Sequence, residues 1–139
     1  MDHANEIRSL IVRQKIGVDA QDETANRACW APNATLQVSV NGGEPRTAEG
    51  LEDVMAFARN ARVTDAHVPR AAPLVHFSGP AEIVFQANDR ALVNSTCLYL
   101  APGEGQMVIR GYGLYRDEVI LEDGAWKLLT RELRMTLPE

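Results

Sequence analysis

The chain is poor in the features that mark a specialised environment. It has two cysteines, Cys29 and Cys97, with no CxxC spacing and no Cys/His set nearby, so both read as buried free thiols rather than a disulfide or zinc framework. Its three histidines, His3, His67 and His76, are too scattered in sequence to specify a metal site. A basic face is missing too: Arg59 and Arg62 are interrupted by Asn60 and Ala61 and followed by Asp65, and the formal net charge is -5. That excludes nucleic acid as a partner, because nothing would neutralise its phosphates. No apolar run approaches the roughly 18 residues of a membrane span, and the opening MDHANEIRSL has acid where a secretory signal needs an apolar segment. The expectation is a cytoplasmic protein with no membrane partner.

What is present suits one globular domain. The 139 residues are 45% hydrophobic and 24% charged, enough to bury a sizeable core and too few for two cores. Ile7, Leu10, Ile11 and Val18 recur at helical spacing, which predicts a first helix over 6–19 with Asn5 as N-cap. Asp22 caps a predicted short helix over 23–30, stopped by Ala31-Pro32-Asn33. Leu36, Val38 and Val40 alternate with polar residues as in a half-buried strand that turns at Asn41-Gly42-Gly43. A short return near Arg46 precedes a third helix over 51–61, with Leu51, Val54, Met55 and Ala58 on one face. The Ala- and Pro-rich stretch 62–73, carrying His67, reads as a lid-like loop. Strand patterns then follow over 74–78, 82–86, 91–100, 106–121 and 126–137, with Gly79-Pro80, Asn88-Asp89, Pro102-Gly103 and Asp123-Gly124 between them. Gly111 and Gly113 are placed to let a long strand bend. Helices first and long antiparallel strands last define an α+β fold.

Several polar residues fall on apolar faces. On the first helix Gln14 lies within the apolar sector, where its amide needs a polar cavity or a specific hydrogen bond. Lys15 and Asp19 fall together at the sector's margin, either as an exposed ion pair one turn apart or facing a cavity. In the strand at Leu74, His76 shares a face with Ser78, and Val75 and Phe77 take the other. Asn94 and Thr96 share a face with Leu92, Leu98 and Leu100, so Asn94 either lines a pocket or faces outward. Tyr99, Tyr112, Tyr115 and Trp126 read as aromatic core or interface.

The segments EIRSLIVRQKIGVD with AQDETANRACWAPNA, LVHFSGPAEIVF with NDRALVNSTCLYL, and GYGLYRDEVILEDGAWKLLTRELRM occur in an order and spacing that covers nearly the whole chain. In them the chain resembles the SnoaL-like branch of the nuclear transport factor two-like superfamily. The resemblance implies a cystatin-like cone, a curved, mostly antiparallel mixed sheet wrapped around the N-terminal helices, with a small-molecule pocket inside. It implies homodimers or homotrimers through the outer sheet face. In members that act as dehydratases, dehydrochlorinases or isomerases, an aspartate late in the first helix orients a histidine on the strand after the third, and those positions fall on Asp19 and His76. Gln14 stands where many members have a tyrosine, and the run Gln14 to Asp19 is similar to that of dehydrochlorinases. The last-strand arginine of those enzymes falls on Thr130, with Arg131 facing the other way.

The implied activity is a cofactor-independent lyase, dehydratase or dehydrochlorinase-like, in which neutral His76 removes a proton from carbon and Asp19 holds the imidazole. Gln14, Asn94, Trp30 and Tyr112 are the expected pocket residues for a small, largely apolar substrate. Neither a cofactor nor a metal is called for. A ligand-binding module without chemistry, or a polyketide cyclase or ketosteroid-type isomerase, would share the same pocket.

Overall fold

Helix α1 spans His3–Asp19, and its N-cap is Asp2 rather than Asn5. The Asp2 carboxylate accepts the Asn5 backbone N–H at 3.2 Å, so the helix starts a turn earlier than the apolar spacing alone predicts. Asp22 caps α2, Glu23–Arg27, as expected. The chain becomes extended at Trp30, earlier than foreseen, and β1 runs Trp30–Val40. A short β2 (Arg46–Glu49) and α3 (Leu51–Thr64) follow, and then four long strands: β3 Val75–Ala87, β4 Arg90–Gly103, β5 Gln106–Glu122 and β6 Ala125–Thr136. This computed structural model describes residues 2–64 and 75–138. The lid-like loop expected over 62–73, with His67, lies outside them from position 65 onward, and at 62–64 the chain instead continues helix α3. None of the helices among the described residues is long and apolar enough to cross a membrane.

The strands form one six-stranded sheet in the order β2-β1-β6-β5-β4-β3, parallel only between β1 and β6. Gly79-Pro80 does not separate two strands, as the turn chemistry suggested. It forms a bulge within β3, between the pairs Ser78 with Cys97 and Ala81 with Ser95. Proline is tolerated there because β3 lies at the sheet edge, where a missing N–H breaks no central ladder. Helix α1 packs against β3 and β6, and α3 against β1 and β2, so among the described residues one sheet face is covered and the other is open.

The covered face is stratified. Ile7, Leu10 and Ile11 of α1 join Trp30, Val54, Met55, Val93, Val119, Trp126 and Leu128 in the main apolar core. One or two turns further along α1 come buried Gln14 and Lys15, and one step along β5 and β6 come buried Asp117 and Arg131. Beyond these, Cys97, Tyr99 and Tyr115 form a second cluster with Leu133 and Met135.

Two glycines of β5 make this arrangement possible. Gly111 has φ of 151° and sits at the register shift between Tyr99 and Leu100 of β4, a conformation L side chains rarely adopt. Gly113 leaves room for Tyr99, since a Cβ there would lie 2.2 Å from the Tyr99 hydroxyl and 2.9 Å from the Tyr115 ring. Gly113→Ala should therefore lower stability by about 1–3 kcal/mol through overpacking, read as a drop in the denaturation midpoint. An unchanged midpoint would mean that Tyr99 moves aside freely.

Candidate active site

Asp19 is the last residue of α1, where the helix dipole disfavours an anion. Two donors from β3 offset this. The His76 backbone N–H donates to Asp19 Oδ2 at 2.9 Å, and His76 Nδ1 lies 2.5 Å from Asp19 Oδ1. The side chains are 15% and 19% exposed. Holding both the backbone and the ring of one residue fixes the imidazole in place. With the Nδ1 proton shared with the carboxylate, Nε2 is left as the basic nitrogen. The His76 ring also stands edge-on to Tyr99, with centroids 5.1 Å apart and planes at 84°.

Behind this pair is a buried polar network. The Gln14 amide nitrogen donates to Asn26 Oδ1 at 3.0 Å, and its oxygen accepts from Arg131 Nη1 at 2.6 Å. Asn26 Oδ1 also accepts the Trp30 indole N–H at 3.0 Å. Arg131 donates to both oxygens of Asp117, at 2.8 and 3.0 Å. The inward amide foreseen at Gln14 thus meets two specific partners, and both its polar ends are engaged.

Arg131 corrects an expectation, because it faces inward. Strict alternation from Trp126 and Leu128 would place Thr130, not Arg131, on that face. A bulge intervenes: Val119 pairs with Leu128, whereas Glu118 pairs with Thr130, so Leu129 is an extra residue and the phase reverses beyond it. Arg131 then stands directly opposite Asp117, itself in phase with Tyr115 and Val119. That phase is visible in the sequence as inward positions two apart on β5, a signal that could have identified Asp117. Nothing local marks the bulge.

Asn94 and Tyr112 are corrected as well. Both project from the open face, away from Asp19 and His76. Asn94 is exposed and donates to Glu82 at 3.2 Å, beside a shallow groove lined also by Thr96, Arg116, Glu132 and Arg134. Tyr112 is 46% exposed. Of the two readings open for Asn94, the structure takes the outward one. Trp30 is 4% exposed, with its indole committed to Asn26 and the Arg131 guanidinium 5.5 Å from its ring centre, so it is part of the core.

Lys15 is not the exposed partner of Asp19. It is 3% exposed, its Nζ has no hydrogen-bond partner among the described residues, and it sits 4.3 Å from the centre of the Tyr115 ring. Burial, aided by the Arg131 charge, lowers its pKa to about 8 against the partial compensation of Cys97, Asp117 and Asp19. Burial also raises the Tyr99 and Tyr115 hydroxyls above their ordinary range, and the two share a hydrogen bond of 2.9 Å. They are neutral donors at physiological pH. No group of three or more metal-ligating side chains occurs among the described residues.

The Lys15 shift has a signed consequence. The folded-state pKa of about 8 lies below the ordinary 10.5, so the native state carries the full penalty of the charge below about pH 8. The penalty shrinks as pH rises and is gone above the unfolded value. Lys15→Met should therefore be the more stable protein at neutral pH, by on the order of 2–3 kcal/mol, with the advantage fading toward about pH 10. Denaturant titrations across this range check it, and a variant less stable at neutral pH would contradict it.

A family model described as SnoaL-like domain matches residues 1–132. Among solved structures, a protein of unknown function with a cystatin-like fold from Nostoc punctiforme superposes with a TM-score of 0.75 at 25% identity, covering 95% of this chain and 90% of that one. A hexachlorocyclohexane dehydrochlorinase from Novosphingobium barchaimii gives 0.74 at 24% identity, over 96% and 86%. An NTF2-like protein with a cystatin-like fold from Novosphingobium aromaticivorans gives 0.73 at 22%, over 95% and 80%. The chain has no match among curated proteins. The α+β, cystatin-like architecture inferred from sequence is therefore the fold of this chain.

Proposed function

Since this chain belongs to the SnoaL-like domain family, we propose that it is a cofactor-independent lyase that eliminates a leaving group from a small, largely apolar substrate. The observation that carries this reading is the doubly anchored pair, with one Asp19 oxygen on the His76 ring and the other on its backbone. His76 Nε2 takes a proton from carbon, and the electron pair of that C–H bond becomes the new C=C bond. The leaving group departs with the electrons of its own bond, and Asp19 stabilises the imidazolium that forms. If hydroxide leaves, the imidazolium can return the proton to it as water; if halide leaves, the proton goes to solvent. Return of the proton to a second carbon would instead make the same dyad an isomerase.

The decisive experiment follows turnover of β-hydroxy ketones, β-halo ketones and alicyclic halides in deuterated water. Release of water or halide marks elimination, and deuterium gained without release marks isomerisation or exchange. His76→Gln and Asp19→Asn are run beside the parent. Full turnover in either variant removes the dyad from the mechanism, and no turnover by the parent leaves ligand binding as the reading.

Self-association through the open sheet face belongs to this proposal. Phe77, Ile109, Tyr112 and Leu114 are 61%, 64%, 46% and 48% exposed there, an apolar surface of the kind that marks interaction sites. Phe77→Lys together with Ile109→Lys should shift the sedimentation coefficient toward that of a monomer. A parent that already sediments as a monomer would end this part of the reading.

A further inference from the structure

Asp19 grips the imidazole of His76 at one point only. The His76 backbone N–H donates to one carboxylate oxygen, and the other lies against Nδ1, which decides which way round the ring sits. The tilt of the ring plane is a separate matter, because the torsion between Cβ and an aromatic ring is broad and lacks sharp staggered wells. A ring that tilts carries Nε2 away from the carbon it must reach. A displacement of about 1 Å in a reacting group is enough to cost about 10²-fold in rate, so something beyond Asp19 has to set the tilt.

The side chain placed to do so is Tyr99. It stands directly opposite His76 in the β3–β4 register, where side chains on one face are nearest neighbours across the sheet. Its ring meets the imidazole edge to face, with centroids 5.1 Å apart and planes at 84°. Tyr99 is itself held at its far end. Its hydroxyl shares a hydrogen bond of 2.9 Å with that of Tyr115 and occupies the space that Gly113 leaves, where a Cβ would collide with it. The Tyr115 ring in turn has Lys15 Nζ 4.3 Å and Arg131 Cζ 4.8 Å from its centre, and Arg131 is fixed by both oxygens of Asp117. A chain of packed contacts therefore runs from the buried ion pair to the imidazole.

We infer that Tyr99 is a positioning residue for the proposed base: it sets the plane of the His76 imidazole, and with it the direction of Nε2, while Asp19 sets the tautomer. Tyr99 is 1% exposed, whereas 15% of the His76 side chain is open, so Tyr99 acts through the imidazole and touches no substrate. The inference rests on the proton-abstraction reading of His76. It gives the paired tyrosine hydroxyls and the missing side chain at Gly113 a purpose in the reaction as well as in packing.

Nitrogen-15 NMR of the imidazoles, with His76 assigned by its loss in His76→Gln, reads the tautomer directly and needs no substrate. In the neutral form, His76 of the parent should carry its proton on Nδ1. Tyr99→Leu removes the aromatic edge and keeps the position apolar. It should populate both neutral tautomers and lower kcat by about 10- to 100-fold with KM little changed, in a protein that is folded by circular dichroism. Tyr99→Phe, which restores the ring without its hydroxyl, should recover most of that loss. A Tyr99 that only fills the core would instead lower the melting temperature and leave the tautomer and kcat of the folded protein as in the parent, and that result overturns the inference. Should Tyr99→Leu not fold, Gly113→Ala decides by the same two readouts, because it presses on the Tyr99 hydroxyl and leaves both dyad residues untouched. Parent-like tautomer and kcat in a folded Gly113→Ala protein overturn the inference equally. Failure of the dyad reads differently: full turnover by His76→Gln would remove the base, whereas the tautomer comparison would still report whether Tyr99 holds the ring.

Discussion

Turnover by the His76→Gln variant should fall by about 10²- to 10⁴-fold, the range that a positioned general base contributes. Glutamine fills similar space and can still donate a hydrogen bond to Asp19, but it cannot take up a proton from carbon near neutral pH. The His76 backbone N–H would continue to donate to Asp19, so the anchorage of α1 on β3 survives. Circular dichroism and the unfolding midpoint should consequently change little. Asp19→Asn should also lose orders of magnitude for a different reason. Its amide can satisfy the backbone N–H with its oxygen and then presents NH2 to Nδ1. That arrangement favours the tautomer with the proton on Nε2, where the base is needed. A loss confined to Michaelis constant in both variants, with maximal rate intact, would place the dyad in binding and not in proton transfer.

Arg131→Met should destabilise the protein by about 3–5 kcal/mol, a large fraction of the 5–15 kcal/mol available to a typical domain. The loss comes from what is left behind. Asp117 is fully buried, and without the guanidinium its carboxylate keeps its desolvation penalty and loses two charge-assisted hydrogen bonds. The Gln14 oxygen loses its donor as well. The double variant Arg131→Met with Asp117→Leu should regain much of the stability, because replacing a buried ion pair by apolar side chains is frequently neutral. Denaturant midpoints of the two single variants and the double variant form a cycle that isolates the coupling. Additive losses would show that the pair is not a unit.

The legible parts of the chain are those governed by local chemistry. Asp22 was readable as a cap because a carboxylate before a helix accepts a free backbone N–H. The opposed faces of His76 and Phe77 were readable because side chains alternate along a strand, and His76 is half-buried while Phe77 is 61% exposed. The link between Asp19 and His76 was a matter of family resemblance, since nothing local relates residues 57 positions apart. Asn94 shows the limit of alternation. Its face-mates Thr96 and Leu98 were identified correctly, yet period two does not say which side of a sheet the helices cover. The Arg131 orientation needed more, because an added residue opposite Val119 reverses the phase and only strand pairing reveals it.

By itself, then, the sequence determined the order of helices and strands, the faces of the regular strand stretches and the α+β class, because backbone geometry converts spacing into sides of an element. Tertiary structure alone decided which polar side chains meet: Gln14 with Asn26 and Arg131, Asp117 with Arg131, and Lys15 with the Tyr115 ring. Such contacts depend on register between strands and on how helix α1 lies over the sheet. A polar residue at the edge of a helical wheel is equally consistent with solvent and interior until the neighbouring elements fix its surroundings.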